Sequence, residues 1–233
     1  MDSIQRRARV AGALYLVVVL AGPFLLLYVP GKIFVPGDAA ATAANILAHE
    51  SLYRASNVLG IVTQLVFVFT ALALYRLLEG VDRSLAAVMV ILILIDAPLA
   101  FLSLANQAAT IATLRGSELL SAFDPAQRHA VATLLIHFDR HGVLVSEVFW
   151  GLWLLPLAIL VYRSGFLPRW LGVWLFANGL AYLALSATGL TAPAYQKTAM
   201  SIATPLLFGE MALMLWLLIV GARPARAPAY DFR

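Results

Sequence analysis

Three acidic residues lie inside long apolar stretches of this sequence: Asp96, Glu147 and Glu210. A charged side chain in the hydrocarbon core of a bilayer costs about 2.5–3.5 kcal/mol on insertion scales, so such residues normally face the protein interior. No basic residue lies close in sequence to Asp96 or Glu210. We therefore expect these two carboxyl groups to be neutral or to be hydrogen-bonded across helices. A protonatable acid at this depth suits a proton-coupled step, and it equally suits a structural hydrogen bond.

Polar residues near Asp96 recur at helical spacing, because residues seven apart lie nearly on one face of a helix. This face carries Asp96, Ser103, Gln107 and Thr110, with Asn106 at its margin. The preceding apolar segment has the same spacing in Asn57 and Gln64. We expect these faces to turn toward each other and to line a polar cavity in the half of the bundle away from the termini, with Asp96 and Glu210 at its floor. In the alternative, the amides only hydrogen-bond neighbouring helices.

A third polar arc precedes and enters the segment that contains Glu147. If this region is one helix, an arc of about 120° carries His129, His137, Arg140, His141 and Glu147, and Asp139 points to the opposite side. Glu147 is then expected to face inward and to pair with Arg140, His137 or a polar group of the preceding span. Trp150 and Trp153 lie on other faces and are assigned to packing or to the lipid boundary.

His137 and His141 have the i, i+4 spacing of a metal-binding helix. With Glu147 or Asp96 as a third ligand they would form a zinc-type site, to which His49 would add if the first outer helix folds over the cavity. The alternative is a pair of interfacial histidines. The chain has no cysteine, which excludes disulfides, thiolate metal sites and iron–sulfur clusters. No HExxH, GxSxG, Walker A or GxGxxG pattern indicates a particular chemistry, so the cofactor is unknown.

The composition indicates an integral membrane protein, since 62% of the chain is hydrophobic and only 12% is charged. The sequence predicts an all-α membrane protein, a six-transmembrane-helix bundle within a single domain over residues 1–222. Residues 223–233 are predicted to form a disordered cytoplasmic tail, and the first span is expected to be retained rather than cleaved. The predicted spans are 9–29, 55–78, 84–108, 141–162, 169–190 and 199–221.

The lysine and arginine distribution predicts the orientation. Ten of the 16 basic residues fall on the side of the termini and six on the other side, which favours both termini in the cytoplasm. The two outer connections are long and predicted to be helical: Asp38 is an N-cap candidate in the first, and Asp124 followed by Pro125 is one in the second. The second helix would run into the fourth span, with Gly142 as a possible bend.

Prolines lie close to two of the acids: Pro98 follows Asp96, and Pro205 precedes Glu210. A proline inside a helix removes one backbone hydrogen bond and can kink it. Broken helices next to carboxylates recur at transporter ion sites, but no internal repeat supports that comparison here.

Two long motifs resemble the signature regions of a known family. They read GDAAATAANILAHESLYR (37–54) and FWGLWLLPLAILVYRSGFLPRWLGVWL (149–175). They are similar to an uncharacterised family of bacterial multi-span membrane proteins, which is a domain-of-unknown-function family. The resemblance covers nearly the whole chain and implies a six-helix integral membrane protein of the bacterial inner membrane. It implies no activity and no functional residues.

Three functions are compatible with this pattern. The preferred one is a protein with an outward-facing intramembrane cavity that binds a small molecule or lipid, for example a small transporter in which Asp96 or Glu210 cycles protons. The second is an intramembrane enzyme, with or without a metal, that acts on a lipid or isoprenoid substrate through His137, His141 and Glu147. The third is a non-catalytic membrane partner or sensor. The expected partners are the lipid bilayer and a small-molecule or lipid ligand, with no nucleic acid; the oligomeric state is undetermined.

Overall fold

The chain forms a bundle of long helices in a computed structural model, which describes residues 3–116 and 121–222. Six helices are long and apolar enough to cross a membrane: α1 (Ser3–Ile33), α3 (Glu50–Leu78), α4 (Arg83–Arg115), α5 (Pro125–Arg163), α6 (Arg169–Thr191) and α7 (Pro193–Val220). A shorter helix, α2 (Ala39–Ala48), lies between α1 and α3. These helices contain the predicted spans to within one residue, and the all-α architecture is confirmed. The predicted tail over residues 223–233 lies outside the described residues.

Each of the two long connections begins a helix with an aspartate cap. The Asp38 carboxylate accepts a hydrogen bond from the Ala41 backbone N–H at 2.8 Å, after a turn at Gly37 that has φ +79°. Asp124 and Gln127 form a reciprocal capping box, with Pro125 at the first helical position. Both predicted caps are confirmed, because an aspartate side chain satisfies backbone N–H groups that a helix start leaves without partners.

Helix α5 is one unbroken helix of 39 residues that passes through Gly142. Its length is about 58 Å at 1.5 Å per residue, whereas a bilayer core is about 30 Å thick. Helix α5 therefore extends well beyond the hydrocarbon layer at the end of the bundle that carries α2. We call this end the loop face. The opposite end, which carries the start of α1 and the short α3–α4 and α5–α6 turns, is the terminal face.

The six spanning helices pack in a ring that follows their order in the chain. Each packs against the next, and α7 closes the ring against α1. The shared core lies toward the terminal face and is centred on Trp153, which is fully buried and meets the rings of Tyr15 and Phe67 edge-on at 6.1 and 5.1 Å between centroids. Many large apolar side chains on the outer surface stay exposed, among them Leu20, Val58, Ile91, Val173 and Ile219, as a lipid-facing surface requires.

Prolines do not break the helices that carry the acids. Pro98 and Pro205 lie inside continuous helical segments. Neither proline interrupts its helix, because a proline removes one hydrogen bond while the rest of the turn can stay helical. Wider π-helical turns occur elsewhere, at Phe24–Tyr28 after Pro23 and at Trp216–Val220. The cytoplasmic placement of both termini stays a prediction from the charge distribution.

Glycine allows backbones to touch where α5 crosses α6. A Cβ atom added to Gly151 would lie 2.7 Å from the carbonyl oxygen of Gly179, and one added to Gly179 would lie 2.9 Å from that of Gly151. Two turns nearer the terminal face, a Cβ on Gly172 would lie 2.8 Å from the carbonyl oxygen of Ala158. Small residues at facing positions bring two membrane helices into close contact.

We predict that Gly151→Ala destabilises the bundle by about 1–3 kcal/mol, because the methyl group would overlap backbone that cannot move aside. The measurement is the thermal unfolding of the purified protein in detergent. The matched control is Gly22→Ala on α1, where an added Cβ meets nothing within 4 Å. Equal melting temperatures for the two variants would contradict the close α5–α6 crossing.

Candidate functional site: buried acids between the helices

Asp139 is the buried acid nearest the loop face, and it forms a cluster with polar side chains of α4. Its side chain is buried, with 7% exposed, and its carboxylate accepts hydrogen bonds from the Gln107 amide at 3.0 Å and from the Ser103 hydroxyl. Asn106 donates to the Leu135 carbonyl oxygen at 2.8 Å. The polar face of α4 predicted from the sequence thus lies against α5. Every partner of the Asp139 carboxylate in this cluster is a neutral donor.

At the level of Asp139, the inward face of α5 is opposite to the predicted one, whereas Glu147, eight residues further along the helix, is buried as predicted. Asp139 is buried, whereas the basic and imidazole groups predicted to face inward are exposed: His129, His137, Arg140 and His141. The face that packs against the bundle continues from Asp139 to Ala132 and Ile136 on one side and to Ser146 on the other. Orienting α5 in this way buries small and apolar residues with one acid, and it leaves the basic side chains in the more polar surroundings outside the bundle.

The predicted metal ligands are not brought together. His137 and His141 are exposed, and within residues 3–116 and 121–222 the only hydrogen bond of either ring joins His141 Nδ1 to the His137 carbonyl oxygen at 2.8 Å. Glu147 is buried on another face of α5, and His49 is exposed at the end of α2. In residues 3–116 and 121–222, no group of three or more histidine, aspartate or glutamate side chains is arranged to hold a metal ion.

Asp96 is the most deeply enclosed acid, with 1% of its side chain exposed. Its Oδ2 accepts a hydrogen bond from the Trp150 indole at 3.3 Å, and the Ser146 hydroxyl lies beside the carboxyl group. Its second oxygen, Oδ1, is buried without a hydrogen-bond partner. The sequence correctly indicated an inward-facing Asp96, but its assignment of Trp150 to packing or the lipid boundary missed the hydrogen bond that the indole donates to this acid.

Glu147 is buried on α5 one residue beyond Ser146, with 7% of it exposed. Its Oε2 has no hydrogen-bond partner, and the ion pair predicted with Arg140 does not form, because Arg140 lies on the exposed side of the helix. Across the interface with α6, the Tyr182 hydroxyl interacts electrostatically with the Glu147 carboxyl. An acid buried in this way, with an oxygen left open, is unusual in a folded protein.

Glu210 joins three helices. Its two carboxyl oxygens accept hydrogen bonds from the Tyr15 hydroxyl of α1 at 2.5 Å and from the Tyr182 hydroxyl of α6 at 3.2 Å. The Tyr182 ring in turn packs edge-on against Trp150, with 5.8 Å between centroids. A connected array therefore runs through five helices, from Asp96 of α4 through Trp150 of α5 and Tyr182 of α6 to Glu210 of α7 and Tyr15 of α1.

The acids occupy different depths. Measured along the helices from the terminal face at 1.5 Å per residue, Glu210 lies about 16 Å in, Asp96 about 20 Å and Glu147 about 24 Å. All three fall within a hydrocarbon core of about 30 Å, whereas Asp139 lies about 36 Å in, at the loop-face boundary. The acids thus form a series from one membrane boundary to the bilayer middle.

Two predicted site residues on α3 stay apart from this array. Asn57 Oδ1 and Gln64 Nε2 are buried without hydrogen-bond partners. Between them, Gly60 lies close to the Leu104 side chain of α4, at 2.7 Å from an added Cβ. Leu104 thus packs against α3 between the two amides.

Sequence reasoning missed the neutral donors. Tyr15, Tyr182, Trp150 and Ser146 complete the site, and none was a candidate. One available signal was that a tyrosine hydroxyl or an indole N–H at membrane depth needs an acceptor, as buried aromatic polar groups usually do. Another was the seven-residue spacing of Asp139 and Ser146, which places both on the same face of α5.

Comparison with known proteins places the chain in a family without an assigned activity. The model of DUF4386, a domain of unknown function, matches residues 10–221. The chain belongs to this family. The resemblance seen in the two long motifs is thereby confirmed, and the six apolar helices identify a multi-pass integral membrane protein.

One relative among curated proteins is similar over part of its length. An uncharacterized protein of Archaeoglobus fulgidus is 30% identical over 79 residues, which are 34% of this chain and 46% of that protein. The match thus spans about half of that relative. No solved structure matches the chain.

We predict that Tyr15→Phe destabilises the protein by about 1–3 kcal/mol, because it leaves an oxygen of Glu210 buried without its donor. Tyr182→Phe should cost less, since its hydrogen bond is longer and its side chain is only partly buried. The measurement is thermal unfolding in detergent. Tyr195→Phe is the control, because Tyr195 is 68% exposed. If all three variants melt at the same temperature, the tyrosines do not hold Glu210.

Proposed function

We propose that this integral membrane protein binds a small molecule or a lipid in the polar interior between α4, α5 and α6, reached from the loop face. Binding is coupled to proton movement through Asp96, Glu147 and Glu210, as in a small proton-coupled transporter. The observation that carries the proposal is the pair of buried acid oxygens without partners, Asp96 Oδ1 and Glu147 Oε2.

A carboxyl oxygen that is buried in a membrane interior without a hydrogen-bond partner lowers the stability of the fold. A buried acceptor without a donor costs about 1–3 kcal/mol, and more if it is charged. Apolar residues of similar size would avoid that cost, so retention of two such groups indicates that something else pairs with them. A ligand that carries hydrogen-bond donors, or water that accompanies it, would supply the missing hydrogen bonds to both carboxyl groups.

The arrangement of partners supports proton movement. Asp96 and Glu210 are bonded to an indole and to two phenol hydroxyls, and no arginine, lysine or histidine pairs with either of them in the described ranges. A carboxyl group in such surroundings can gain or lose a proton without breaking an ion pair. Intramembrane acids arranged in series are the usual form of proton relays in pumps and transporters.

Access from the loop face follows the polar side of α4. The cluster of Asp139, Ser103 and Gln107 lies at the membrane boundary, and Asp96 lies on the same side of α4 two turns deeper than Ser103. A ligand that enters along this side would meet Asp139 first and Asp96 second. The outward-facing chamber predicted from the sequence would lie along this path.

The test begins with a thermal-stability screen of the purified protein against small polar metabolites, amines and short-chain lipids. A compound that binds the proposed site should raise the melting temperature of the wild type and lose that effect in Asp96→Asn and Glu147→Gln. The control is Glu50→Gln, since Glu50 pairs with Arg54 and Arg115 at the surface of the loop face. The compound should then accumulate in proteoliposomes under an imposed pH gradient. Its uptake should also change the lumenal pH, which a pH-sensitive dye inside the vesicles reports.

Each other outcome rejects a part of the proposal. Stabilising compounds that act equally on wild type, Asp96→Asn and Glu147→Gln would place binding elsewhere. Uptake that is indifferent to the pH gradient would remove the proton coupling. Chemical conversion of the compound would favour the intramembrane enzyme acting on a lipid or isoprenoid, and the absence of any stabilising compound would favour the non-catalytic partner or sensor.

A further inference from the structure

A cavity of about 730 Å³ opens at the terminal face, on the opposite side of the molecule from Asp139. Its walls come from the start of α1, the α3–α4 turn and the α5–α6 turn. The site described above does not reach it, since Glu210, the acid of that site nearest to this end, lies about 16 Å in. The cavity is therefore a separate feature of the bundle.

Three arginines from three different helices line this cavity: Arg7 of α1, Arg76 of α3 and Arg163 of α5. One acid, Glu79, lines it as well and lies 3.9 Å from Arg7. Arg7 also donates to the backbone carbonyl oxygen of Arg76 at 2.8 Å, which fixes its side chain across the α1–α3 junction. The lining thus carries an excess of two positive charges.

Two of the guanidinium groups are open to a ligand. In residues 3–116 and 121–222, the side chains of Arg76 and Arg163 have neither a hydrogen-bond partner nor an ion-pair partner. Guanidinium is a planar donor that fits the oxygens of phosphate and carboxylate in pairs. Arginines of membrane proteins also serve as topology signals, but that role requires only the correct side of the membrane and does not require three helices to direct them into one concavity.

Apolar residues complete the walls. Ile4, Leu77, Val81 and Phe166 line the same cavity as the arginines. Cationic and apolar groups side by side suit a ligand with an anionic head and an apolar body. The terminal face is predicted to be cytoplasmic, and the cytoplasmic leaflet carries the anionic lipids that attract basic groups near the membrane surface.

We propose that this cavity is a binding site for a phosphate group, held by Arg76 and Arg163 with Arg7 at its edge. The phosphate comes either from the headgroup of an anionic phospholipid or from a soluble phosphate compound, and both sources share the same contacts with the arginines. The proposal does not depend on the function proposed for the intramembrane acids.

The test uses the full chain, delipidated in an uncharged detergent, and follows its melting temperature. The probes are inorganic phosphate, glycerol phosphate, short-chain phosphatidylglycerol and, as the zwitterionic control, short-chain phosphatidylcholine. The test variant is Arg76→Gln with Arg163→Gln. The matched control, Arg6→Gln with Arg169→Gln, removes the same charge from basic residues that do not line the cavity.

The expected result is that an anionic probe stabilises the wild type and the control pair at similar concentrations, whereas the cavity pair needs at least about tenfold more, a loss of the size expected for one good charged contact. Stabilisation by phosphatidylglycerol alone identifies a lipid site, and equal stabilisation by glycerol phosphate identifies a soluble ligand. A conservative pair, Arg76→Lys with Arg163→Lys, should lie between wild type and the glutamine pair, and it provides the comparison if the glutamine pair does not fold.

Two results would overturn the proposal. In the first, the cavity pair and the control pair lose affinity equally, which would mean that only the general positive charge of the terminal face attracts the probe. In the second, no anionic probe stabilises the wild type more than phosphatidylcholine does.

Discussion

The lack of hydrogen-bond partners in lipid is the constraint on which this bundle depends. An acid placed at membrane depth needs donors from a neighbouring helix, and Glu210, Asp96 and Asp139 have them, whereas Glu147 Oε2 does not. Glu210 finds them on α1 and α6, and it thereby ties α7 to both of its neighbours in the ring. Asp96 and Asp139 do the same between α4 and α5. The acids are thus connections between helices as well as candidate functional groups, and the donors they use are neutral. A helix that rotated out of place would leave a carboxyl group facing hydrocarbon.

Close packing sets where these connections can form. The contact of Gly151 with Gly179 brings the backbones of α5 and α6 together, and Trp153 fills the centre of the ring below the acids. Helices held at such short distances have few side-chain arrangements open to them. The oxygens that remain without partners on Asp96 and Glu147 are therefore not simply the result of loose packing. Within the set of buried acids, they are the oxygens that lack a hydrogen-bond donor, and the proposed ligand site lies there.

The sequence was sufficient for the spans, the aspartate caps and the polar face of α4, because hydrophobic length, capping residues and seven-residue spacing are local properties. It was insufficient for α5. This helix carries polar groups all round, and the arc that runs from His137 to Glu147 looked as suitable for the interior as the face of Asp139. The side chains of α4 that face α5 decide its orientation. Ser103 and Gln107 donate hydrogen bonds to the carboxylate of Asp139, whereas they have no negative charge to pair with Arg140. The tyrosines and Trp150 were missed for the same reason, since a neutral donor is recognised as part of a site only when its acceptor is known.

The face of α5 that meets α4 can be measured directly, because the chain has no cysteine of its own. A Cβ atom at Gly142 would lie 4.0 Å from the Ser103 hydroxyl oxygen, whereas the adjacent His141 is on the exposed side. Cysteine pairs at 103 and 142 and at 103 and 141, formed by Ser103→Cys with Gly142→Cys or His141→Cys, should be oxidised in native membranes. The account predicts rapid disulfide formation in the first pair and little in the second. Faster formation in the second pair would mean that the histidines and Arg140 face the interior, and that the acids are not held as described.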